Sequence, residues 1–341
     1  MRAKDIVEIT EYLEKKIESI SGTYLITGAT GFIGRYTIDT LVSLFDRGYD
    51  ISVYALTKSV DTAYSYWKDV DCVKIIDWSM DNSFPDNILG VDYLIHTAAM
   101  TEMVTFSQNS FDVIYYNVLG TIRCCEWLVH HEVKNGLLLS SGIVYGNLLN
   151  GENIKEDRIG LLPSMNPRAC YAESKIASEY FFSCLAEQYD VPVSVCRLFS
   201  VYGPGMSLNG GNVFSDLYKD AIFGKKIVIK GNGTPVRNFC YISDVITAIF
   251  TILIKGSRNT EYNIGSKTEN YSIKDLARIL GKMFNIEYVL ENNVDTMLSM
   301  DSIQIPNVDR LVDLGWQSYI SLSDGIRRMK IYNNERCNKF I

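Results

Sequence analysis

The stretch Thr23-Tyr24-Leu25-Ile26-Thr27-Gly28-Ala29-Thr30-Gly31-Phe32-Ile33-Gly34 decides the fold. Its first five residues are β-branched, aromatic or aliphatic and read as a short buried strand, and from 32 to 45 the apolar residues return at helical spacing. Between the two, glycines recur at every third position. A strand that turns through glycines into a helix brings main-chain N–H groups and the positive end of a helix dipole to one point, which suits a pyrophosphate. The glycines permit the tight turn and the close approach of backbone to ligand. Taken alone, these residues also allow a glycine-rich turn that holds nothing.

Outward from this stretch the same alternation continues. Strand-like runs lie at 51–56, 73–76, 93–96, 137–140 and 193–198, and helical patterns at 118–130 and 171–188 fall between several of them. Strands alternating with helices predict a parallel sheet covered on both faces, a doubly wound α/β domain. After Leu198 the rhythm changes. Gly203, Pro204, Gly205, Gly210 and Gly211 cluster, a helix-like run covers 213–223 and a strand-like one 226–230. A further strand at 261–264 and a helix at 272–283 with Ser272 as N-cap lead into an irregular tail. The expected organisation is a helical extension over 1–20, a sheet domain over 21–200 with segments near 238–264 returning to it, and a smaller region made of 201–237 and 265–330.

Composition narrows the partners. The chain has 341 residues, 47% hydrophobic and 21% charged, with 24 Gly and 7 Pro, which excludes a disordered, collagen-like or disulfide-framework chain. Lys plus Arg number 33 against 40 Asp plus Glu, a net charge of −7, so no nucleic acid or membrane partner is expected and a small molecule is. Cysteines at 72, 124, 125, 170, 184, 196, 240 and 337 form no CxxC and no zinc spacing with His96, His130 or His131. They read as reduced core residues of a cytoplasmic protein with no metal. In the first twenty residues Ile6, Ile9, Leu13, Ile17 and Ile20 follow helical spacing among charges, which is neither a signal-peptide core nor a membrane span.

The glycine spacing is Gly-x-x-Gly-x-x-Gly, and here the sequence resembles the extended short-chain dehydrogenase/reductase family, the NAD(P)-dependent nucleotide-sugar epimerases, dehydratases and reductases. The resemblance rests on further motifs in order: Asp92-Tyr93-Leu94-Ile95-His96-Thr97-Ala98-Ala99, Asn117-Val118-Leu119-Gly120-Thr121, Ser140-Ser141-Gly142-Ile143-Val144-Tyr145-Gly146 and Tyr171-Ala172-Glu173-Ser174-Lys175. Downstream, Val236-Arg237-Asn238-Phe239-Cys240-Tyr241-Ile242-Ser243-Asp244 and Tyr262-Asn263-Ile264-Gly265 are similar to its nucleotide-sugar branch. The resemblance spans about 21–326 and implies a Rossmann-type domain with a smaller C-terminal region that binds a nucleotide-diphosphate sugar.

It also implies roles. Gly28, Thr30, Gly31, Phe32, Ile33, Gly34, Asp77, Trp78, Ala98, Ala99 and Asn117 would line the cofactor, with Asp77 at the adenine. Where an acid would meet the adenosine ribose, the second strand runs instead into Thr57-Lys58-Ser59. A cation between two hydroxyls suits a 2′-phosphate, so NADP(H) is favoured and NAD(H) remains possible; a solvated surface lysine is the other reading of Lys58.

Tyr171 and Lys175 are four apart in a helical pattern and share a face. A tyrosine acting near neutrality needs its pKa moved down by roughly 3 from about 10, about 4 kcal/mol of preference for phenolate, and a nearby ammonium helps supply it. By resemblance Tyr171 exchanges a proton with a sugar hydroxyl or keto oxygen, Lys175 lowers its pKa and holds the nicotinamide ribose, and Ser141 hydrogen-bonds the same oxygen. Arg237 and Asn212 would grip the substrate pyrophosphate, a task a guanidinium fork suits. Thr101, Glu102, Ser200 and Val213 complete the expected substrate contacts, Ser200 standing where relatives often carry Asn.

Two departures bear on the reaction. The family's 4,6-dehydratases follow the catalytic Ser or Thr with Asp-Glu, and its glucuronate decarboxylases, similar here around 167–171, keep the glutamate. This chain has Gly142 and Ile143. An isoleucine exchanges no proton, so dehydration and decarboxylation are disfavoured unless Glu102 substitutes. The expectation is NADPH-dependent reduction of a 4-keto sugar nucleotide, with an NAD(P)-dependent 4-epimerase as the alternative and a non-catalytic NADP sensor last. A homodimer through the helices near 106–130 and 171–188, and a role in surface polysaccharide synthesis, are further implications of the resemblance.

Overall fold

Strand-forming apolar runs, the central ones buried almost continuously, place seven parallel strands side by side in the computed structural model, which describes residues 1–102, 106, 108–146, 148, 153–158, 160–163, 165–291 and 303–337. They are β1 (Gly22–Thr27), β2 (Ile51–Thr57), β3 (Val73–Asp77), β4 (Tyr93–His96), β5 (Asn135–Ser141), β6 (Val193–Leu198) and, from farther along the chain, β11 (Thr260–Ile264). Their order is β11-β6-β5-β4-β1-β2-β3. The helices that return the chain between parallel strands are α2 (Phe32–Asp46), α3 (Val60–Trp67), α4 (Ser110–Val129) and α5 (Cys170–Tyr189). Because β2 lies on one side of β1 and β4 on the other, the chain reverses direction at β1, and the loops leaving the carboxyl ends of β1 and β4 open the crevice in which such sheets bind ligands. Helix α7 (Ile242–Lys255) is apolar almost all round and is buried from Ile242 to Leu253, as a helix covered on every side must be.

The second region combines α6 (Val213–Ile222), the pairs β7 (Val201–Tyr202) with β10 (Cys240–Tyr241) and β8 (Ile227–Lys230) with β13 (Tyr288–Glu291), and a small sheet of β12 (Asn270–Ser272), β9 (Val236–Asn238) and β14 (Ile303–Gln304). Helix α8 (Ile273–Phe284) begins where the sequence predicts: Ser272 Oγ accepts from Asp275 N at 3.0 Å.

Two expectations differ from the structure. The tail is not irregular: α9 (Asp309–Asp313) and α10 (Leu322–Cys337) follow, and Leu322, Ile326 and Met329 are buried at helical spacing. The N-terminal helix α1 (Arg2–Lys16) ends before Ile17, which is extended; Ile17 and Ile20 are buried beyond the helix. Asp5 shows what anchors α1. Fully buried, it accepts from Tyr36 (3.2 Å), Tyr241 (2.9 Å) and Arg328 (2.8 Å), so it ties the first helix to α2, to the strand before α7 and to α10. Burial still lifts its carboxyl above the ordinary range, more than Arg328 and the hydroxyls lower it. Six described cysteines are buried and Cys184 is exposed; the side chain of Cys337 lies outside the described set. No helix among the described residues is long and apolar enough to cross a membrane.

Candidate active site

The phosphate loop closes against the crevice. Gly28 has φ +68°, a left-handed conformation, and a Cβ there would lie 2.8 Å from the Ala98 backbone and 2.7 Å from Thr97 Oγ1. A Cβ on Gly34 would lie 2.4 Å from Gly28 O, so the first turn of α2 seats directly on the loop. Helix α2 has Gly31 as N-cap, no side chain capping its first N–H groups and no acid in its first turn, where Phe32 and Ile33 are half-buried. Uncapped amides and an unopposed dipole are what a dinucleotide pyrophosphate requires, and the glycine cradle leaves room for it. Thr30 Oγ1 meets Thr57 Oγ1 at 2.8 Å, and Ser59 N donates to Thr57 Oγ1 at 3.0 Å. The Thr57 hydroxyl therefore fastens the phosphate loop to β2, while Lys58 beside it is exposed.

Asp77 is exposed at the end of β3, in register with Thr57, and the buried Trp78 donates its main-chain N–H to Thr57 O at 3.1 Å and its Nε1–H to Asn82 O at 2.9 Å. Ala98 and Ala99 leave β4 half-buried; Ala98 N donates to Thr27 Oγ1 at 3.3 Å. Asn117 is buried under that loop: its Oδ1 accepts from Met100 N (2.7 Å) and its Nδ2 donates to Ser174 Oγ (3.1 Å), so it shapes the loop from beneath. His96 lies in the same layer, with Thr27 Oγ1 2.8 Å from Nδ1, and burial first, then the Lys175 charge, push its pKa down to about 3. It is a neutral, hydrogen-bonded structural residue.

Three groups meet at the mouth of the crevice. Ser141 ends β5, Tyr171 stands in the first turn of α5 within hydrogen-bonding reach of Ser141, and Lys175 follows one turn later with Nζ 5.9 Å from the Tyr171 ring centroid. Burial pushes the Tyr171 phenol up to about 12, with the Ser141 hydrogen bond opposing it. Burial pulls Lys175 down to about 8, with Glu179 opposing, and Nζ donates to Leu139 O at 2.8 Å. Without a cofactor, Tyr171 is thus a neutral proton donor, and only added positive charge beside it makes it a base. Phe106 stacks on Tyr171, with ring centroids 4.9 Å apart at 11°. The sequence reading names Phe106 only as the start of a helix, because no spacing along the chain links it to Tyr171.

The expected substrate contacts are spread over the rim. Thr101 and Glu102 are exposed beyond the β4 loop, and Ser200 is exposed between β6 and β7. Asn212 caps α6, its Oδ1 accepting from Ser215 N at 2.9 Å, and Val213 is the first helical residue. Arg237 lies half-buried in the middle of β9, opposite Tyr271 and Gln304; its Nη1 donates to Val236 O at 2.9 Å, and burial lowers its pKa. Asn212 and Arg237 stand on separate elements. Among the described residues, no group of three or more His, Cys, Asp or Glu is placed to hold a metal.

The profile of the NAD dependent epimerase/dehydratase family matches residues 24–265, the span that holds every candidate site residue above. The chain belongs to this family. It is accordingly an NAD(P)-dependent enzyme of the extended short-chain dehydrogenase/reductase type. It is 29% identical over 319 residues to the human dTDP-D-glucose 4,6-dehydratase (89% of this chain, 87% of the relative). It is 26% identical over 310 residues to Arabidopsis thaliana UDP-glucuronic acid decarboxylase 5 (90% and 87%). The crystal structure of Bacillus cereus UDP-glucuronic acid 4-epimerase in complex with UDP-glucuronic acid and NAD shares its fold, with TM-score 0.78, 23% identity, and 92% of this chain and 99% of that one covered.

The cofactor expectation is corrected. Structures that share the fold hold NAD: besides the Bacillus cereus epimerase, the dTDP-glucose 4,6-dehydratase of Bacillus anthracis is in complex with NAD (TM-score 0.75, 20% identity, 93% of this chain and 98% of that one). NADP(H) is therefore not the favoured cofactor. At the end of β2 the Thr57 hydroxyl is engaged with Thr30 and Ser59, and Lys58 is exposed.

Proposed function

We propose that this enzyme uses NAD to epimerise C4 of a nucleoside-diphosphate sugar, the alternative named by the sequence reading rather than its first choice. The observation that carries the proposal is the contrast between neighbouring positions. Ser141, Tyr171 and Lys175 stand close together, which supports proton exchange at one oxygen. The next two positions provide no second acid or base. A Cβ at Gly142 would lie 2.8 Å from the Phe199 ring, so its side-chain space is already filled, and Ile143 is half-exposed and apolar. Elimination of water would need a further acid and base, and none stands at these two positions.

NAD, when bound on the phosphate loop near Gly28, Gly31 and Gly34, with Asp77 toward the adenine and Lys175 toward the nicotinamide ribose, supplies oxidation and re-reduction at carbon. Tyr171 Oη takes the proton of the C4 hydroxyl and later returns it. Ser141 Oγ holds the same oxygen. The Lys175 ammonium stabilises the phenolate, and the stack of Phe106 on Tyr171 keeps the ring in place and water away. Arg237 and Asn212 are assigned to the substrate diphosphate.

The test is to denature freshly purified protein, identify the dinucleotide released, and incubate the native enzyme with UDP-glucose, UDP-glucuronic acid and dTDP-glucose. Retained NAD and a C4 epimer formed without net cofactor turnover support the proposal; loss of water or CO2 from the sugar refutes it. Tyr171→Phe should lower turnover by about 10²- to 10⁴-fold with NAD binding intact.

The same reading makes the enzyme a cytoplasmic homodimer with no nucleic acid partner. Supporting the dimer, Phe111, Tyr115 and Tyr180 are 72%, 47% and 69% exposed on α4 and α5. Sedimentation equilibrium tests it.

A further inference from the structure

Three successive residues at the end of β5 face α5, and two of them are hydrogen-bonded to it. Leu139 O accepts from Lys175 Nζ at 2.8 Å, Ser140 Oγ donates to Glu179 Oε1 at 2.5 Å, and Ser141 lies close enough to Tyr171 to act on the charge of its phenol. Tyr171, Lys175 and Glu179 are spaced one helical turn apart along α5, so strand and helix meet in register over the whole catalytic set. Glu179 is itself fixed from behind. Arg197, which pairs with Ser140 across β5 and β6, grips its carboxylate with Nε and Nη2, the latter at 2.7 Å, and both side chains are only 13% exposed. The remaining Arg197 nitrogen donates to Tyr145 OH at 2.9 Å and to Glu156 O at 2.7 Å, which extends the network into the segment after Ser141.

We propose that Glu179 is a positioning residue for proton transfer: clamped to Ser140 and Arg197, it sets the register of Ser141 against Tyr171 and keeps Lys175 charged. The inference rests on the assignment of Tyr171 and Lys175 made above. The groups facing Lys175 are His96 on β4, Tyr171 and Glu179 on its own helix, and, behind Glu179, Arg197 on β6. His96 is neutral, so the Glu179 carboxylate is what opposes the cost of burying the Lys175 charge. Glu179→Gln keeps the shape and an acceptor for Ser140 while removing the charge. Ser140→Ala keeps the charge and removes the clamp.

Two readouts separate these roles. The first is a ¹⁵Nζ-lysine NMR titration of the protein without substrate, with the Lys175 signal assigned through Lys175→Arg. The second is kcat and KM against pH with UDP-glucose, UDP-glucuronic acid and dTDP-glucose. In Glu179→Gln the Lys175 midpoint should fall from about 8 by about one pH unit or more. The alkaline limb of kcat should fall with it while KM changes by less than about threefold. In Ser140→Ala the midpoint should stay and kcat should drop about tenfold or more. An unchanged midpoint in Glu179→Gln overturns the electrostatic half of the proposal, and kcat within twofold of the parent in Ser140→Ala overturns the clamp. If Glu179→Gln does not fold, Glu179→Asp is read the same way: a held midpoint with reduced kcat is expected, and unaltered kcat overturns the proposal. Full turnover in Tyr171→Phe would sink the assignment of the catalytic tyrosine, a failure distinct from that of Glu179, because the lysine titration reads Glu179 without any turnover.

Discussion

Alanine at Gly28 carries two costs that can be measured apart. Gly28 has φ +68°, and an alanine there pays the left-handed penalty of about 1–2 kcal/mol. Its Cβ would also press to 2.8 Å against the Ala98 backbone, which cannot swing aside as a side chain would, adding about 1–3 kcal/mol of overpacking. Gly48 is the control: its φ is +93°, yet a Cβ there meets nothing within 4 Å. Gly48→Ala should therefore lose about 1–2 kcal/mol and Gly28→Ala about 2–5 kcal/mol in urea denaturation with matched slopes. Their effects on cofactor should diverge further. Relief of the clash moves the loop away from Thr97 and Ala98, so NAD affinity, followed by fluorescence titration, should weaken at least tenfold in Gly28→Ala, about 1.4 kcal/mol or more, and be unaltered in Gly48→Ala. Equal stability losses in the two variants, together with unchanged NAD affinity, would falsify the argument that the loop's approach to β4 shapes the cofactor site.

Three further outcomes follow from the same packing. Gly142→Asp should not introduce dehydration of dTDP-glucose, assayed by loss of water from the sugar, and should destabilise the fold by about 1–3 kcal/mol because the new Cβ would stand 2.8 Å from the Phe199 ring. Arg328→Met leaves the fully buried Asp5 carboxylate without its cation and should cost about 3–5 kcal/mol in chemical denaturation, much of it recovered when combined with Asp5→Asn. Burial lifts the Asp244 carboxyl from its ordinary 3.8 to about 7, against the main-chain N–H groups of Ile320 and Tyr319. The folded chain then keeps a proton that the unfolded chain releases. The contribution of Asp244 to stability is fully present below about pH 4 and is lost as pH rises to about 7, on the order of 4 kcal/mol at full extent; Asp244→Asn should remove that component of the slope in a melting series from pH 4 to 8.

What could be read from the chain follows short-range physics. The strand at Tyr93–His96, the strand at Val193–Leu198 and the Ser272 cap fall where the residues place them, because side-chain periodicity and capping act over a few residues. The final helix Leu322–Cys337 escaped because its apolar residues are sparse. Leu322, Ile326 and Met329 make a stripe that gains its energy only when it meets the rest of the core.

The catalytic set shows the same division. The sequence by itself determined the glycine spacing between β1 and α2, the alternation of strands and helices in the parallel sheet, and the Ser141, Tyr171 and Lys175 pattern, since each is a fixed spacing of residue types along one chain. Tertiary structure alone decided how those groups are charged and held. Phe106 reaches Tyr171 from 65 positions away, Arg197 fixes Glu179 from a neighbouring strand, and Asn117 works beneath the cofactor loop as a support. The preference for NADP(H) is overturned by the NAD held in structures that share the fold. Of the hydroxyls beside Lys58, the fold turns that of Thr57 to Thr30, which spacing along the chain does not reveal. Spacing along a chain fixes which chemistry is present, while burial and long-range hydrogen bonds fix whether a group is free to use it.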